Sequence, residues 1–261
     1  MSEKGILYGV SVGPGAPGQL TLDAVKALLD CPVIAAPRTK RGEMLAFRIA
    51  EEGMEQFLNT SFEGRKTAAG KEAFWATKTI LPLTFPMPRN DPESTRANHE
   101  AVSAQLRPFL DRGEDVAMLN LGDVSVYSTY HYIAELLEAE GYETKMLAGV
   151  TSFCASAAAL NSSLTGGVDT PILVLPGALD DAATERILRE PGTKVLMKTI
   201  GVLPETLALL KGLGLSEKTS AVVNCGLPNE QIYPTLAAFE AALETSPEEA
   251  KSYYTTLIVK D

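Results

Sequence analysis

The chain has 261 residues, 45% of them hydrophobic, and carries a net charge of −10 at pH 7. This length and apolar content allow a large buried core, in one α/β domain or in two smaller ones, and exclude a disordered chain. The acidic charge excludes broad binding to nucleic acids or to anionic membranes, because those partners require a positive field.

Short β-branched runs alternate with helical patterns along most of the chain, which predicts an α/β fold. In the first half, strands are predicted at 6–12, 32–36, 79–83 and 115–121, and helices at 21–29, 43–52 and 93–110. In the second half, strands are predicted at 143–147, 172–175, 194–198, 220–224 and 253–259, and helices at 152–160, 180–188, 204–210 and 236–243. We predict two α/β domains, residues 1–120 and 121–261, divided at a Gly-Asp turn after an apolar strand.

The first loop, Gly13-Pro14-Gly15-Ala16-Pro17-Gly18, follows a strand and fits the GxGxxG pattern of dinucleotide-binding loops. However, its prolines have no N–H to offer a pyrophosphate, and the second strand ends in Pro37-Arg38 instead of an acid for the ribose. An arginine there could bind a 2′-phosphate, so NADP binding stays open. A purely structural turn, in which glycine supplies a positive φ, stays open as well.

Two further loops leave predicted strands. Asp123 follows the apolar strand at 115–121 and is either a ligand contact at the carboxyl edge of the sheet or an N-cap for the helix through Tyr130. Thr151 and Ser152 precede a helix of small residues and are also plausible N-caps.

Other side chains narrow the chemistry. An apolar run at 6–12 is too short for a signal peptide or a membrane span. The cysteines, Cys31, Cys154 and Cys225, lie far apart with no CxxC pair, which predicts a reducing cytoplasm and no zinc site. His99 and His131 have no third ligand at metal spacing, so no metal site is predicted.

Positive charge is concentrated in one region of this acidic chain. Arg38, Lys40 and Arg41 lie together, and Arg65, Lys66 and Lys71 follow further on. Such a group is usually a solvated face, but it is also where the carboxylates of a substrate would bind.

The stretches 9–17, 121–129 and 149–153, in this order and spacing, resemble the motifs of the tetrapyrrole methylase family. The likeness continues through 19–22, 195–198, 224–226, 230–233 and 256–259, so it covers nearly the whole chain. Within the family, 127–130, 149–153, Pro37-Arg38 with Gly42-Glu43, and Phe85-Pro86-Met87 resemble the branch that methylates carbon 20 of precorrin-2 or cobalt-factor II. Ala16 and Val124 depart from the usual acid and proline of the family.

The resemblance implies a homodimer of two-domain subunits, with S-adenosylmethionine in the cleft between the domains and S-adenosylhomocysteine as the product. It implies cofactor contacts at Pro14, Leu121, Gly122, Asp123, Val126, Thr151, Ser152, Met197 and Gly226. The first loop, with Gly13 and Gly15, would shape the tetrapyrrole trough, and Arg38, Lys40 and Arg41 are predicted to bind the substrate carboxylates. No catalytic residue and no proton acceptor is predicted. The alternatives are another tetrapyrrole methylase, acting on uroporphyrinogen III or on a different corrin carbon, an NADP-dependent reductase, and a non-catalytic nucleotide-binding module.

Overall fold

Two α/β units make up the chain, Met1–Thr151 and Ser152–Asp261. The computed structural model describes residues 4–60, 71–85, 92–177 and 181–260. Pro86 and Met87, Arg65 and Lys66, all named above, lie outside these ranges. Within the described ranges, no helix is both long and apolar enough to cross a bilayer.

The first unit is a parallel sheet with helices on both faces. Its elements are β1 (Ile6–Ser11), α1 (Leu22–Asp30), β2 (Val33–Arg38), α2 (Leu45–Asn59), α3 (Lys71–Ala76), β3 (Thr79–Thr84), α4 (Pro92–Leu110), β4 (Val116–Asn120), α5 (Tyr130–Ala139) and β5 (Glu143–Leu147). The strand order is β3-β2-β4-β1-β5, and every pairing is parallel. One face of the sheet forms a core with α4 and α5, through side chains such as Met118, Leu106 and Ile133.

The second unit is a mixed sheet. Its elements are α6 (Ser152–Ala159), β6 (Ile172–Pro176), α7 (Asp181–Leu188), β7 (Thr193–Met197), α8 (Leu203–Gly212), β8 (Thr219–Val223), β9 (Gln231–Tyr233), α9 (Leu236–Thr245), α10 (Pro247–Ala250) and β10 (Thr255–Val259). The strand order is β6-β7-β10-β8-β9, and β10 is antiparallel to both of its neighbours. Its core joins Phe239 of α9 and Leu210 of α8 to Leu257 of β10.

The predicted α/β class with two units is confirmed, but the division between the units lies at Thr151–Ser152 and not after residue 120. The reason is that β5 pairs with β1 and completes the first sheet. The helix before it, α5, packs Ile133 and Leu137 into the first core. A turn after an apolar strand therefore marks the end of an element here, not the end of a domain.

Candidate functional site

The carboxyl ends of the strands in the first sheet share one edge, because every pairing is parallel. The three loops predicted from the sequence all leave this edge, after β1, β4 and β5. In open α/β sheets, ligands bind outside the carboxyl ends of the strands. This edge, with the three loops, is the candidate site of the first unit.

A backbone bridge joins the first loop to the second. The N–H of Gly13 donates to the carbonyl oxygen of Gly122 at 3.2 Å, and the N–H of Gly122 donates to that of Gly13 at 2.8 Å. Both glycines have positive φ, 75° and 72°, which side-chain-bearing residues rarely adopt. The Gly13 amide is therefore occupied within the chain and is not available to a pyrophosphate, which weakens the NADP alternative.

The hydroxyl of Ser11 joins the second loop to the end of β5. Ser11 is fully buried; its Oγ donates to the carbonyl oxygen of Leu147 at 2.6 Å and accepts from the N–H of Val124 at 2.9 Å. A Cβ at Gly149 would lie 2.3 Å from the Cβ of Ser11, so the third loop needs glycine at this place.

Thr21 connects the third loop to α1. Its Oγ1 accepts from the N–H of Ala24 at 3.2 Å, which confirms it as the N-cap of α1. The same hydroxyl donates to the carbonyl oxygen of Ala148 at 3.3 Å. The cap of the first helix therefore also holds the loop after β5.

Asp123 has a nearly buried carboxylate that accepts hydrogen bonds from its own loop and from the third loop. One oxygen, Oδ1, accepts from the N–H of Ser125 at 2.8 Å and from its hydroxyl, and Oδ2 accepts from the N–H of Gly149 at 2.6 Å. Burial alone would raise the pKa of this carboxyl, but the hydrogen bonds from Ser125 and Gly149 outweigh it and hold the pKa below its ordinary value. Asp123 is therefore ionised at neutral pH, and it does not cap α5, which begins at Tyr130 after Thr129.

The other predicted contacts in the first unit lie on these loops. Pro14 follows the bridging glycine of the first loop, Leu121 precedes Gly122, and the N–H of Val126 donates to the carbonyl oxygen of Asp123 at 3.1 Å. Gly15 continues the first loop, and Thr151 ends the third loop and the unit. The structure thus places Pro14, Leu121, Gly122, Asp123 and Val126 along one edge.

The basic loop, residues 38–41, begins at the same sheet edge. Arg38 ends β2, and its Nη2 lies 3.5 Å from Oγ1 of Thr84 at the end of β3. Lys40 and Arg41 are exposed in a turn closed by the N–H of Gly42, which donates to the carbonyl oxygen of Thr39 at 2.9 Å. Within the described part of the chain, no carboxylate pairs with any of the three cations.

In the second unit, Met197 ends β7 and Gly226 follows β8. Both strands are antiparallel to β10, so they run in the same direction and end at the same edge of the second sheet. Gly226 has a φ of 77°, and its N–H donates to Oε2 of Glu230 at 2.6 Å. Ser152 is the first residue of α6, which packs on β10.

The buried thiols do not suit nucleophilic chemistry. Burial raises the pKa of Cys31 to about 12 and that of Cys225 to about 11, so both stay protonated at neutral pH. Among the described residues, His, Cys, Asp and Glu form no cluster of three or more that could hold a metal ion.

Sequence reasoning did not identify Ser11 and Asn120 as site residues. Both are polar residues at the end of otherwise apolar strands, and both are buried. A buried polar side chain must find hydrogen-bond partners. A polar residue at the end of an apolar run was therefore the sequence signal that could have identified Ser11 and Asn120.

A family model, described as Tetrapyrrole (Corrin/Porphyrin) Methylases, matches residues 6–239. The chain belongs to the tetrapyrrole methylase family. This methylase is 32% identical, over 205 residues, to the probable cobalt-precorrin-2 C(20)-methyltransferase of Methanocaldococcus jannaschii, covering 78% of this chain and 76% of that relative. It is 26% identical, over 257 residues, to the cobalt-precorrin-2 C(20)-methyltransferase of Salmonella typhimurium, covering 98% and 96% of the two chains. Because it belongs to this family and its relatives are methyltransferases, the chain is an S-adenosylmethionine-dependent methyltransferase.

Solved structures show the same fold. A cobalt precorrin-4 methyltransferase superposes with a TM-score of 0.68 at 18% identity, covering 98% of this chain and 94% of that one. The uroporphyrin-III C-methyltransferase of Thermus thermophilus, in complex with S-adenosylhomocysteine, superposes with a TM-score of 0.62 at 20% identity, covering 98% of both chains. At these identities the likeness shows the fold of this methylase and not its substrate.

Proposed function

We propose that this methylase transfers a methyl group from S-adenosylmethionine to carbon 20 of precorrin-2 or cobalt-factor II during corrin biosynthesis. One observation supports the methyl-transfer site above all: the three family loops leave one edge of the first sheet and are joined to one another there by hydrogen bonds. The choice of carbon 20 is supported by the names of the two relatives above.

The edge suits a cationic cofactor. Asp123 is ionised, and three of its roughly four lone-pair positions are taken by donors of its own chain. A fixed, nearly buried negative charge favours a ligand that carries a sulfonium and an ammonium group. The residues proposed to hold it are Pro14, Leu121, Gly122, Asp123, Val126 and Thr151 in the first unit and Ser152, Met197 and Gly226 in the second.

The main contribution of the chain to the reaction is to hold the methyl donor and the ring carbon in position. When bound, S-adenosylmethionine supplies an electrophilic methyl carbon, and a meso carbon of a reduced tetrapyrrole is an electron-rich nucleophile. Holding reacting atoms at near-attack distance can provide on the order of 7–11 kcal/mol. Holding atoms at that distance requires rigid loops, and the hydrogen bonds of Ser11 and Asp123 to neighbouring loops make the loops of the proposed site rigid. With its lowered pKa, Asp123 is a poor base and is not proposed as the acceptor of the carbon-20 proton.

The basic loop is proposed to bind the substrate carboxylates. The tetrapyrrole carries acetate and propionate groups, so a protein with a net charge of −10 needs local cations to hold it. Arg38, Lys40 and Arg41 are exposed and have no carboxylate partner among the described residues. A planar guanidinium can also bind a carboxylate through two hydrogen bonds.

A ligand panel tests the class of function. Titration calorimetry should show that S-adenosylhomocysteine binds and that NADP does not. Binding of NADP without S-adenosylhomocysteine would overturn the proposal in favour of a reductase. Incubation with labelled S-adenosylmethionine and either precorrin-2, cobalt-factor II or uroporphyrinogen III then tests the substrate. Transfer to uroporphyrinogen III alone would replace the proposed substrate while leaving the methyltransferase assignment intact.

A further inference from the structure

The two units contain turns that share an asparagine and a glycine, although Asn224 has a φ of 55° whereas Asn120 is the last residue of a strand. In the first unit, Asn120 ends β4 and precedes Leu121 and Gly122; in the second, Asn224 follows β8 and precedes Cys225 and Gly226. Each asparagine is only 6% exposed, and the glycines have φ angles of 72° and 77°. Both turns thus read Asn-x-Gly, with a buried asparagine and a left-handed glycine.

In the first unit, a serine fixes the asparagine amide. Oγ of Ser128 donates to Oδ1 of Asn120 at 2.6 Å, and the same hydroxyl accepts from the N–H of Tyr130 at 3.1 Å. The Nδ2 group of Asn120 donates to the carbonyl oxygen of Met118 at 2.8 Å. The amide is therefore held at both ends.

The second unit repeats this arrangement with unrelated segments. Oγ of Ser252 donates to Oδ1 of Asn224 at 2.6 Å and accepts from the N–H of Tyr254 at 3.1 Å. In both units the pattern is Asn-x-Gly with a distant Ser-x-Tyr. The serine is 8 residues from its asparagine in the first unit and 28 in the second. The shared hydrogen bonding between serine and asparagine is therefore not a consequence of local sequence spacing.

The glycine amides of both turns are also occupied within the chain. The N–H of Gly122 donates to the carbonyl oxygen of Gly13, and that of Gly226 donates to Oε2 of Glu230. With the asparagine held by serine and the glycine held by its own acceptor, neither turn can rotate without breaking these hydrogen bonds. Leaving a buried acceptor such as Oδ1 unpaired is costly. Both turns are therefore held in one conformation from two sides.

We propose that Ser128 and Ser252 are positioning residues, each fixing the asparagine that begins a glycine turn and so setting the backbone that contacts the cofactor. The contacts concerned are Leu121 and Gly122 in the first unit and Gly226 in the second. The inference rests on the proposed function, because these contacts are themselves proposed there.

The test compares S128A and S252A with two matched controls. Ser103→Ala removes a buried hydroxyl that donates to the carbonyl oxygen of His99 at 3.0 Å in α4. Thr206→Val removes one that donates to the carbonyl oxygen of Val202 at 2.8 Å in α8. For each variant, the thermal midpoint and the calorimetric Kd for S-adenosylhomocysteine are measured. We expect about tenfold weaker binding in S128A and in S252A, the size of one lost hydrogen bond, and unchanged binding in the controls.

Rescue separates positioning from general destabilisation. Ser128→Thr keeps the hydroxyl and should bind S-adenosylhomocysteine as the wild type does. If S128A does not fold, Ser128→Cys replaces it, because a thiol is a weak donor. Equal affinity in the serine variants, the controls and the wild type would overturn the positioning role. Failure of the wild type to bind S-adenosylhomocysteine would instead overturn the proposed function itself.

Discussion

Asp123 serves the fold and the proposed site through the same oxygens. Its carboxylate accepts from Ser125 of its own loop and from Gly149 of the next loop. A neutral amide at this position has one acceptor oxygen and one donor group, and the donor would face an N–H of the chain. The ionised form is therefore the form that holds the two loops together.

Asp123→Asn should lower the free energy of unfolding by about 2 kcal/mol at pH 7, the usual size of a hydrogen-bond loss at a charged group. The folded pKa of Asp123 lies below its ordinary value of 3.8, so its stabilisation is present above that pH. It is lost as the pH falls through the lower, folded pKa. In urea titrations, the difference between wild type and D123N should therefore shrink at strongly acidic pH.

The matched control for this change is Glu143→Gln, which removes the charge of an exposed pair with Lys145. Exposed pairs contribute about 0–1 kcal/mol, so this variant should unfold nearly as the wild type does. A difference between wild type and D123N that did not change with pH would contradict the role of the ionised carboxylate.

At the scale of elements, the turn after β4 is the feature on which the site depends most. Gly122→Ala places a side chain at a φ of 72°, which costs on the order of 1–2 kcal/mol of folding stability. Because this turn contains proposed cofactor contacts, the affinity of the G122A protein for S-adenosylhomocysteine should fall by about tenfold or more. Thermal denaturation and calorimetry on the same variant measure both effects.

Gly141→Ala is the control for that substitution. Gly141 has a φ of 79° and open space where a Cβ would lie, so its replacement carries the same backbone cost away from the loops. We expect equal loss of stability in the two variants and loss of affinity in G122A alone. If affinity fell equally in both, Gly122 would be only a structural turn residue.

The elements themselves were largely predictable from the sequence. The strands and most helices lie within a few residues of their predicted positions, because apolar period and Gly-Pro punctuation are local signals. The short elements α3, β9 and α10 were not predicted, because two of them are helices of less than two turns and β9 is a strand of only three residues.

Contacts between distant segments were not predictable in the same way. The domain boundary was misplaced because the pairing of β5 with β1 joins residues far apart in the chain. Likewise, Ser11 meets Val124 at a separation of 113 residues and Leu147 at 136. The three loops of the site could be found from their sequences, but the hydrogen bonds that join them could not.

At the scale of the whole molecule, the proposed role of the basic loop predicts that charge affects substrate binding. Replacing Arg38 and Arg41 with Ala should raise KM for the tetrapyrrole while the affinity for S-adenosylhomocysteine stays unchanged. The increase in KM should diminish as ionic strength rises, because salt screens exposed charges. Steady-state kinetics at low and high salt measures both effects.

The control double variant is Arg96→Ala with Arg189→Ala. These exposed arginines pair with Glu100 and Glu185 on their own helices, so the net charge changes by the same amount elsewhere on the surface. If the control raised KM as much as the basic-loop variant does, long-range charge and not local binding would be responsible.

Association into a homodimer is a further proposal at this scale, and it rests on the likeness to the family. Light scattering at micromolar concentration should give twice the mass of one chain. A mass of one chain would contradict it.

The ring carbon that receives the methyl group distinguishes methylation at carbon 20 from every other tetrapyrrole methylation. Product is made from precorrin-2 and from cobalt-factor II with S-adenosylmethionine labelled with carbon-13 in its methyl group, and carbon-13 NMR then locates the label. We expect one enriched methyl on carbon 20 of the macrocycle, with whichever substrate is accepted. A label on any other ring carbon would contradict the proposed function.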